Sequence, residues 1–254
     1  MIPRRALILS AGRGERLRPL TDDRPKPMVL VAGRPVLEYH ITLLRELGIR
    51  DLAINLHHKP HVVMDHFGDG SAWDVRIQYS VEPELMGTAG AVRCLDAYLD
   101  GGTFLVIYGD NLFDYDLKLL LEVHAREAAV ATLGLYRGEN PRAGGIAGLG
   151  PSGRVWRFLE KPGPDEIFSD LVSAGIYVME PGVLDFIPEG GASDFGRDVL
   201  PRIVESDRPV FGVEMEGYFT GLDTVELYER AQADVAKGKL HHPLTTSPGA
   251  RSSR

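Results

Sequence analysis

The chain has few of the features that mark secreted, metal-cluster or membrane proteins. It has one cysteine, Cys94, in 254 residues, so an internal disulfide and a cysteine-rich zinc site are both excluded. No apolar run approaches the ~20 residues that span a bilayer, and the N-terminus has no cleavage site of the secretory kind. We therefore expect a cytoplasmic protein without a membrane partner, in which Cys94 is a small core residue of a helix.

Positive charge is also scarce. The sequence has 28 Lys and Arg residues against 36 Asp and Glu residues, which gives a net charge of -8 at pH 7. An acidic surface repels nucleic acids and anionic membranes, so neither is an expected partner. The basic residues near the N-terminus are therefore a local feature that serves one site.

Linkers and internal repeats are absent from the sequence before residue 240. With 44% hydrophobic and 25% charged residues, the chain has an ordinary composition for one large α/β domain. We predict a single domain over residues 1–240, with a nucleotide-binding half over about 1–136 and a substrate-binding half over 137–240. Residues 241–254 are rich in Pro, Ser, Thr and Gly, a composition that predicts a disordered tail.

Apolar strand-like runs alternate with segments of helical periodicity over the first half of the chain. This alternation predicts βαβ units and a Rossmann-like, doubly wound, mostly parallel sheet. The predicted strands are 6–9, 51–56, 75–80, 103–108, 130–136, 144–149, 155–159, 171–179, 209–213 and 218–222. The predicted helices are 35–47, 61–67, 88–99, 117–127 and 225–236.

A glycine-rich, basic loop follows the first strand. Gly12 and Gly14 let the backbone turn tightly and bring its N–H groups close to an anion. Four cationic side chains, Arg13, Arg16, Arg18 and Lys26, belong to the same stretch. The loop is neither a Walker P-loop nor the dinucleotide fingerprint, because the required Lys-Ser/Thr and third glycine are missing. It predicts a site for a polyphosphate.

Two carboxylates follow later strands at the edge of the sheet where ligands bind. Asp110 comes directly after the strand 103–108, and Asp223 comes after 218–222. Because Mg²⁺ prefers one or two carboxylates together with phosphate oxygens and water, the pair is a candidate magnesium site. Each residue also has a plain structural interpretation: Asp110 belongs to a Gly-Asp-Asn turn, and Asp223 or its neighbour Thr224 is placed to cap the last helix.

Seven ordered motifs closely resemble those of the sugar-1-phosphate nucleotidyltransferases. Within this family the chain is most similar to the mannose-1-phosphate and manno-heptose-1-phosphate guanylyltransferases. The resemblance covers about residues 5 to 236 and implies the mixed, mostly parallel sheet of that family's fold. The motifs are Gly12-x-Gly14-x-Arg16-Leu17-x-Pro19-Leu20-Thr21 with Pro25-Lys26-Pro27-Met28, Val31-x-Gly33-x-Pro35, Gly87-Thr88-Ala89-Gly90-Ala91, Gly109-Asp110-Asn111, Glu160-Lys161-Pro162, Ser173-Ala174-Gly175-Ile176-Tyr177 and Gly221-Leu222-Asp223-Thr224.

The resemblance implies that a sugar-1-phosphate oxygen attacks the α-phosphorus of an NTP and pyrophosphate leaves. That step needs neutralised charge and in-line positioning. The implied roles, carried over by motif position, fall into four groups. They are catalytic residues Arg16, Lys26, Asp110 and Lys161; nucleotide-binding residues Leu9, Ala11, Gly12, Gly14, Glu82, Gly87 and Thr88; sugar-phosphate-binding residues Gly145, Glu160, Lys161, Ser173, Gly175 and Tyr177; and Mg²⁺ ligands Asp110 and Asp223.

The sequence of the glycine-rich loop does not indicate which nucleotide base the protein binds. The loop departs from the commonest family form at Ser10, Ala11, Arg13 and Glu15. Variants with Ala in the loop resemble uridylyltransferases that act on amino sugars. Residues 87–90, in contrast, resemble the same segment of guanylyltransferases. Glu82 stands five residues before Gly87, where thymidylyl- and uridylyltransferases of the family typically carry Gln. A carboxylate offers two acceptors to the N1–H and N2–H₂ of guanine and faces a pyrimidine carbonyl unfavourably.

We therefore expect GTP, with mannose-1-phosphate or a manno-heptose-1-phosphate. The alternatives are a UTP- or dTTP-dependent hexose- or amino-sugar-1-phosphate nucleotidyltransferase, and a Glu82 that is only a solvated residue of a turn. A non-catalytic nucleotide-sugar sensor and a glycosyltransferase using Asp114-Tyr115-Asp116 are alternatives of other classes. No C-terminal β-helix is expected, since only residues 241–254 remain. The family's frequent dimers and tetramers leave a homo-oligomer open.

Overall fold

A computed structural model describes residues 2–246, and nine of its strands form one sheet. The strands are β1 (Arg5–Leu9), β2 (Leu30–Val31), β3 (Arg34–Pro35), β4 (Asp51–Leu56), β5 (Arg76–Val81), β6 (Phe104–Tyr108), β7 (Asn111–Phe113), β8 (Ala131–Arg137), β9 (Gly145–Leu149), β10 (Val155–Glu160), β11 (Leu171–Met179), β12 (Val210–Glu214) and β13 (Phe219–Gly221).

The large sheet is mixed and mostly parallel, as predicted. Its path runs β10-β9-β11-β6-β1-β4-β5, and β8 joins β11 to β12. The neighbours β6, β1, β4 and β5 are parallel, and β12 is parallel to β8, whereas β11 runs antiparallel to β6, β8 and β9. Only β11 and β10 therefore oppose the other strands of this sheet. Since β11 comes from the second half and pairs with β6 of the first, the two halves share one sheet.

Helices cover both faces of the sheet. They are α1 (Val36–Leu47), α2 (Pro60–Phe67), α3 (Gly87–Arg93), α4 (Asp96–Leu99), α5 (Leu117–Arg126), α6 (Leu200–Glu205), α7 (Val225–Ala236) and α8 (Pro243–Thr246). Successive residues of a strand point to opposite faces. Ala6 and Ile8 accordingly pack with α1, α2 and α5, while Leu7 packs with α3 and α6. No helix within residues 2–246 has the length and apolar character that a membrane span requires.

The predicted helix over 88–99 is wrong in its middle. The structure divides it into α3, which ends at Arg93, and α4, which begins at Asp96. Leu95, between them, is 5% exposed and takes the core position, whereas Cys94 is exposed. The prediction that Cys94 is a core residue is therefore wrong, because Ala91, Val92 and Leu95 form the buried side of this segment and Cys94 lies off it.

The segment that follows residue 240 is ordered as far as the structure describes it. His242 is 1% exposed, lies 4.9 Å from the Tyr39 ring between ring centroids, and its Nε2 is 3.0 Å from the Tyr39 carbonyl. The helical turn α8 follows. The predicted disorder is therefore wrong for residues 241–246, because a buried aromatic contact anchors them. Residues 247–254 lie outside the described part of the chain.

Candidate active site

The glycine-rich loop leaves the carboxyl end of β1 beside the end of β6. The Gly109 N–H donates to the Leu9 carbonyl at 2.9 Å and so ties these two strand ends together. Ala11 is buried at 7% exposure, and Gly12 is exposed, with nothing within 4 Å of the place where a Cβ would lie. Gly14 has a φ of +65°, which glycine adopts without strain. The loop therefore presents its backbone at Gly12 to an incoming group.

A two-stranded ribbon brings the two predicted metal ligands together. The ribbon consists of β7 and β13, which pair antiparallel. Asp110 immediately precedes β7 and Asp223 closely follows β13. The Leu222 N–H donates to the Asp110 carbonyl at 3.1 Å, which fixes the two chain segments side by side. The pairing therefore joins residues that stand more than a hundred positions apart in the sequence.

Lys26 lies between the two carboxylates. Its ammonium donates to Asp110 Oδ2 at 2.7 Å and to Asp223 Oδ1 at 2.7 Å. The Lys26 side chain is 9% exposed, against 38% for Asp110 and 43% for Asp223. Arg16 Nη2 donates to the same Asp223 oxygen at 3.0 Å. Four of the predicted catalytic and metal-binding residues thus form one cluster.

The charges of this cluster stabilise one another. Burial alone would lower the pKa of Lys26, but the two neighbouring carboxylates outweigh it and the pKa of Lys26 is raised. Burial likewise would raise the pKa of Asp223, and the positive charges of Lys26 and Arg16 hold it below its usual value. Lys161 contributes to the same lowering, so its charge also faces the cluster.

The carboxylate pair fits a magnesium ion whose remaining ligands are phosphate oxygens and water. Among residues 2–246, no group of three or more His, Cys, Asp or Glu side chains is arranged to hold a metal ion. The cluster does contain two carboxylates, Asp110 and Asp223, and one oxygen of each lies 2.7 Å from the Lys26 ammonium. Mg²⁺ bound by one or two carboxylates completes its shell with phosphate oxygens and water.

Glu160 and Lys161 lie at the end of β10, where β10 pairs with Gly145 of β9. A Cβ on Gly145 would lie 2.7 Å from Glu160 Oε2, and one on Gly196 would lie 2.3 Å from it. A side chain at either position would therefore displace the Glu160 carboxylate. Burial raises the pKa of Glu160, and the charges of Lys161 and Arg197 oppose that rise. Lys161 itself is exposed.

The predicted sugar-side segment 173–177 contains a bulge in β11. The register with β8 shifts between Ser173 and Ile176, and Gly175 has a φ of +67°. A Cβ on Gly175 would lie 2.6 Å from the Tyr108 ring. The hydroxyls of Ser173 and Tyr177 are hydrogen-bonded at 2.8 Å, and burial raises the pKa of Tyr177 to about 12. Ile176 and Tyr177 pair with Ile107 and Val106 of β6, so Ser173, Ala174 and Gly175 lie toward and past its carboxyl end.

Glu82 is buried, at 5% exposure, so its interpretation as a solvated turn residue is wrong. Its Oε1 accepts from Asn55 Nδ2 at 2.8 Å, and its Oε2 accepts from the Met86 N–H at 3.1 Å. Gly87, with a φ of +72°, packs so closely that a Cβ would lie 2.5 Å from the Ser193 carbonyl oxygen. Thr88 Oγ1 accepts from the Phe195 N–H at 2.8 Å.

Sequence reasoning missed two groups of residues near these sites. Asn55 is a buried polar residue in the otherwise apolar run 52–56 of β4, and this polar position is a signal that could have found it. The segment 193–197 carries Asp194, whose Oδ1 faces Thr88, and Gly196 and Arg197 beside Glu160. It belongs to no predicted strand or helix, so periodicity gave no indication of it.

Asp114 and Asp116, the acidic residues of the Asp-x-Asp sequence, have structural roles. Asp116 caps α5 by accepting from the Lys118 N–H at 3.0 Å. Asp114 accepts from the backbone N–H groups of Tyr218 and His241. Neither is part of the Lys26 cluster, which removes the basis for the glycosyltransferase alternative. Thr224, rather than Asp223, caps α7, which leaves the Asp223 carboxylate to the cluster.

This fold is a mostly parallel α/β sheet, and the cluster of Lys26, Asp110 and Asp223 lies at its carboxyl edge, where ligands of such sheets bind. The chain belongs to the nucleotidyl transferase family, whose profile matches residues 5–238. The predicted resemblance to sugar-1-phosphate nucleotidyltransferases is confirmed by the named relatives.

Two curated relatives show the range of nucleotides in this family. The chain is 35% identical to a mannose-1-phosphate guanylyltransferase of Mycobacterium tuberculosis, across 98% of this chain and 68% of that protein. It is 32% identical to a UTP–glucose-1-phosphate uridylyltransferase of Synechocystis, across 89% of this chain and 62% of that protein. The chain therefore spans about two thirds of the length of these relatives.

A solved structure supports the same fold. It comes from Bacillus anthracis, was assigned as a glucose-1-phosphate thymidylyltransferase, and contains a sucrose. The TM-score is 0.80 at 25% identity, with 90% of this chain and 94% of the other covered. Guanylyl-, uridylyl- and thymidylyltransferases thus all resemble this chain, so similarity alone does not identify its base.

Proposed function

We propose that this protein transfers a nucleotidyl group from an NTP to a sugar 1-phosphate and releases pyrophosphate. The observation that carries the proposal is the position of Lys26 between Asp110 and Asp223, next to the glycine-rich loop. Lys161 and Glu160 lie on the side of β9 and β10. Cations for two phosphate groups therefore converge from two directions on one carboxylate pair.

The proposed roles follow from these positions. Backbone N–H groups of Ala11, Gly12 and Gly14 hold the triphosphate, and Arg16 neutralises charge that grows on the departing pyrophosphate. Lys26 contacts the α-phosphate, and Lys161 binds the phosphate of the sugar. The attacking and leaving oxygens must be in line, and phosphoryl transfer needs positioning and charge neutralisation more than covalent chemistry.

On the sugar side, we propose that the Glu160 carboxylate accepts from sugar hydroxyls. Gly145 and the bulged segment with Ser173, Gly175 and Tyr177 would line the pocket largely through backbone groups. Mg²⁺, held by Asp110 and Asp223, would supply additional positive charge at the phosphates.

GTP is the proposed nucleotide, with mannose-1-phosphate or a manno-heptose-1-phosphate as the acceptor. Support comes from Glu82, which offers acceptors only, and from the guanylyltransferase relative that matches 98% of the chain. The uridylyltransferase relative favours UTP with a hexose or amino-sugar 1-phosphate as the second candidate. Both candidates use the same cluster and differ in the base and in the sugar 1-phosphate.

A matrix of four NTPs against a set of sugar 1-phosphates tests the proposal, with pyrophosphate release as the readout. The wild type is expected to release pyrophosphate fastest with GTP. Asp223→Asn, which removes one charge from the cluster, should lower kcat by about 100-fold or more. A wild type that favours UTP or dTTP would contradict the choice of GTP. A wild type that binds nucleotide-sugars but releases no pyrophosphate would identify a sensor.

A further inference from the structure

A buried line of hydrogen bonds joins the phosphate side of the site to the base side. The Ser10 N–H donates to Asn55 Oδ1 at 2.7 Å, Asn55 Nδ2 donates to Glu82 Oε1 at 2.8 Å, and the Met86 N–H donates to Glu82 Oε2 at 3.1 Å. Asn55 is 3% exposed and Glu82 is 5% exposed. Water therefore has little access to replace any bond of this relay.

The chemistry of the relay is fixed at both ends, because both ends are backbone N–H donors. Asn55 must turn its carbonyl to Ser10, so it presents its NH₂ group to residue 82. Residue 82 then receives one donor from Asn55 and another from Met86. Two acceptors are needed there, and a carboxylate supplies them. A glutamine would direct its own NH₂ group at one of these donors, whichever way its amide is turned.

We propose that Asn55 is a positioning residue for the nucleotide and that residues 55 and 82 specify one another. Ser10 directly precedes the proposed triphosphate contacts Ala11 and Gly12, and Met86 directly precedes Gly87. The relay therefore sets the spacing between the glycine-rich loop, which is the proposed triphosphate site, and the turn at Met86 and Gly87 on the proposed base side. An amide at residue 82, the form that matches a pyrimidine, satisfies this relay when residue 55 offers acceptors to both neighbours, as a carboxylate does. The nucleotide part of this inference rests on the proposed function.

The two residues can be exchanged as a pair without changing the net charge. In N55D/E82Q, the carboxylate at 55 accepts from the Ser10 N–H and from the introduced NH₂ group. The introduced carbonyl accepts from the Met86 N–H, so every bond of the relay is restored. E82Q alone leaves two donors facing each other, and N55D alone sets two buried carboxylates against each other.

Thermal unfolding of the three variants tests the pairing without any activity. Each single substitution is expected to lower Tm by about 4–8 °C, and N55D/E82Q should return to within about 2 °C of the wild type. N55D/E38Q is the matched control, since Glu38 is 8% exposed and pairs with Arg34. It makes the same change in charge and should show no recovery. Recovery in the control, or none in N55D/E82Q, would overturn the pairing.

Steady-state kinetics test the positioning role. E82Q should raise KM for all four NTPs by about tenfold, because through Asn55 it disturbs the glycine-rich loop as well as the base side. N55D/E82Q should recover that common loss and raise the ratio of kcat/KM for UTP over GTP by about tenfold relative to wild type. A merely structural role would leave this ratio unchanged. If the wild type turns over no NTP, the proposed function fails, while the thermal measurement still decides the pairing.

Discussion

Lys26→Met is expected to strengthen divalent-cation binding by the protein in the absence of nucleotide. The Lys26 ammonium holds one oxygen of Asp110 and one of Asp223, each at 2.7 Å. A cation that binds these same oxygens must first displace the ammonium. Methionine has a similar length and no charge, so it leaves the carboxylate pair open to the metal.

The magnitude follows from the two bonds that are given up. A hydrogen bond to a charged group contributes about 1.5–3 kcal/mol. Because the Asp110 and Asp223 side chains are 38% and 43% exposed, water replaces part of that energy. A net gain of about 1.5–3 kcal/mol for the pair corresponds to about a 10- to 100-fold lower Kd.

Titration with Mn²⁺, followed by electron paramagnetic resonance of the free ion, measures this Kd directly. Lys239→Met is the matched control, since Lys239 pairs with Asp234 at 2.6 Å outside the cluster. It should bind Mn²⁺ like the wild type. Lys26→Met combined with Asp223→Asn should lose the gain, which would locate the ion. The reasoning is refuted if Lys26→Met binds Mn²⁺ no more tightly than the wild type.

Three further outcomes are expected. Gly87→Ala should lower the free energy of unfolding by about 2 kcal/mol or more in urea denaturation, since its Cβ would lie 2.5 Å from the Ser193 carbonyl oxygen at a φ of +72°. Burial lowers the pKa of His242 to about 4, whereas the same side chain in the unfolded chain has a pKa near 6.5. As the pH falls from 6.5 to 4, the unfolded chain therefore binds the proton first, and the free energy of unfolding decreases by up to about 3 kcal/mol. His242→Phe should reduce the slope of Tm against pH over that range, leaving the part that comes from buried His40, whose pKa is lowered to about 3, and an unchanged slope would contradict this. Exposed Cys94 should react with a thiol reagent in the native protein as fast as in urea; slow native labelling would show that it is buried.

Part of the cluster could be predicted because Asp110 and the start of the glycine-rich loop follow parallel strands of the sheet. The carboxyl ends of parallel strands meet at one edge of the sheet, so Asp110 and the glycine-rich loop are expected to be neighbours. Asp223 comes after β13, which pairs with β7 rather than with the large sheet. The strand pattern predicts Asp223 at the end of a strand of the large sheet, and it gives no indication of the separate ribbon that β13 forms with β7.

The relay of Asn55 and Glu82 could not be predicted from the sequence. Its bonds join residues 45 and 27 positions apart, and each requires a particular side-chain orientation that no local pattern specifies. The sequence singles out Glu82 for its chemistry toward a base, whereas the structure shows a second reason for its carboxylate. Both N–H groups at the ends of the relay are backbone groups, so their direction is set by the fold.

The glycine-rich loop is held at two points by residues that need not touch a ligand. Asn55 holds the N–H of Ser10, and the Thr21 hydroxyl donates to the Gly14 carbonyl at 2.8 Å. Gly12 lies between these anchors and faces open space. Backbone donors stabilise a developing charge only when their geometry is already fixed, since otherwise the energy of reorganising them is lost from the transition state. In the proposed function, the glycines allow the close approach of an anion, and these two hydrogen bonds fix the loop that the anion approaches.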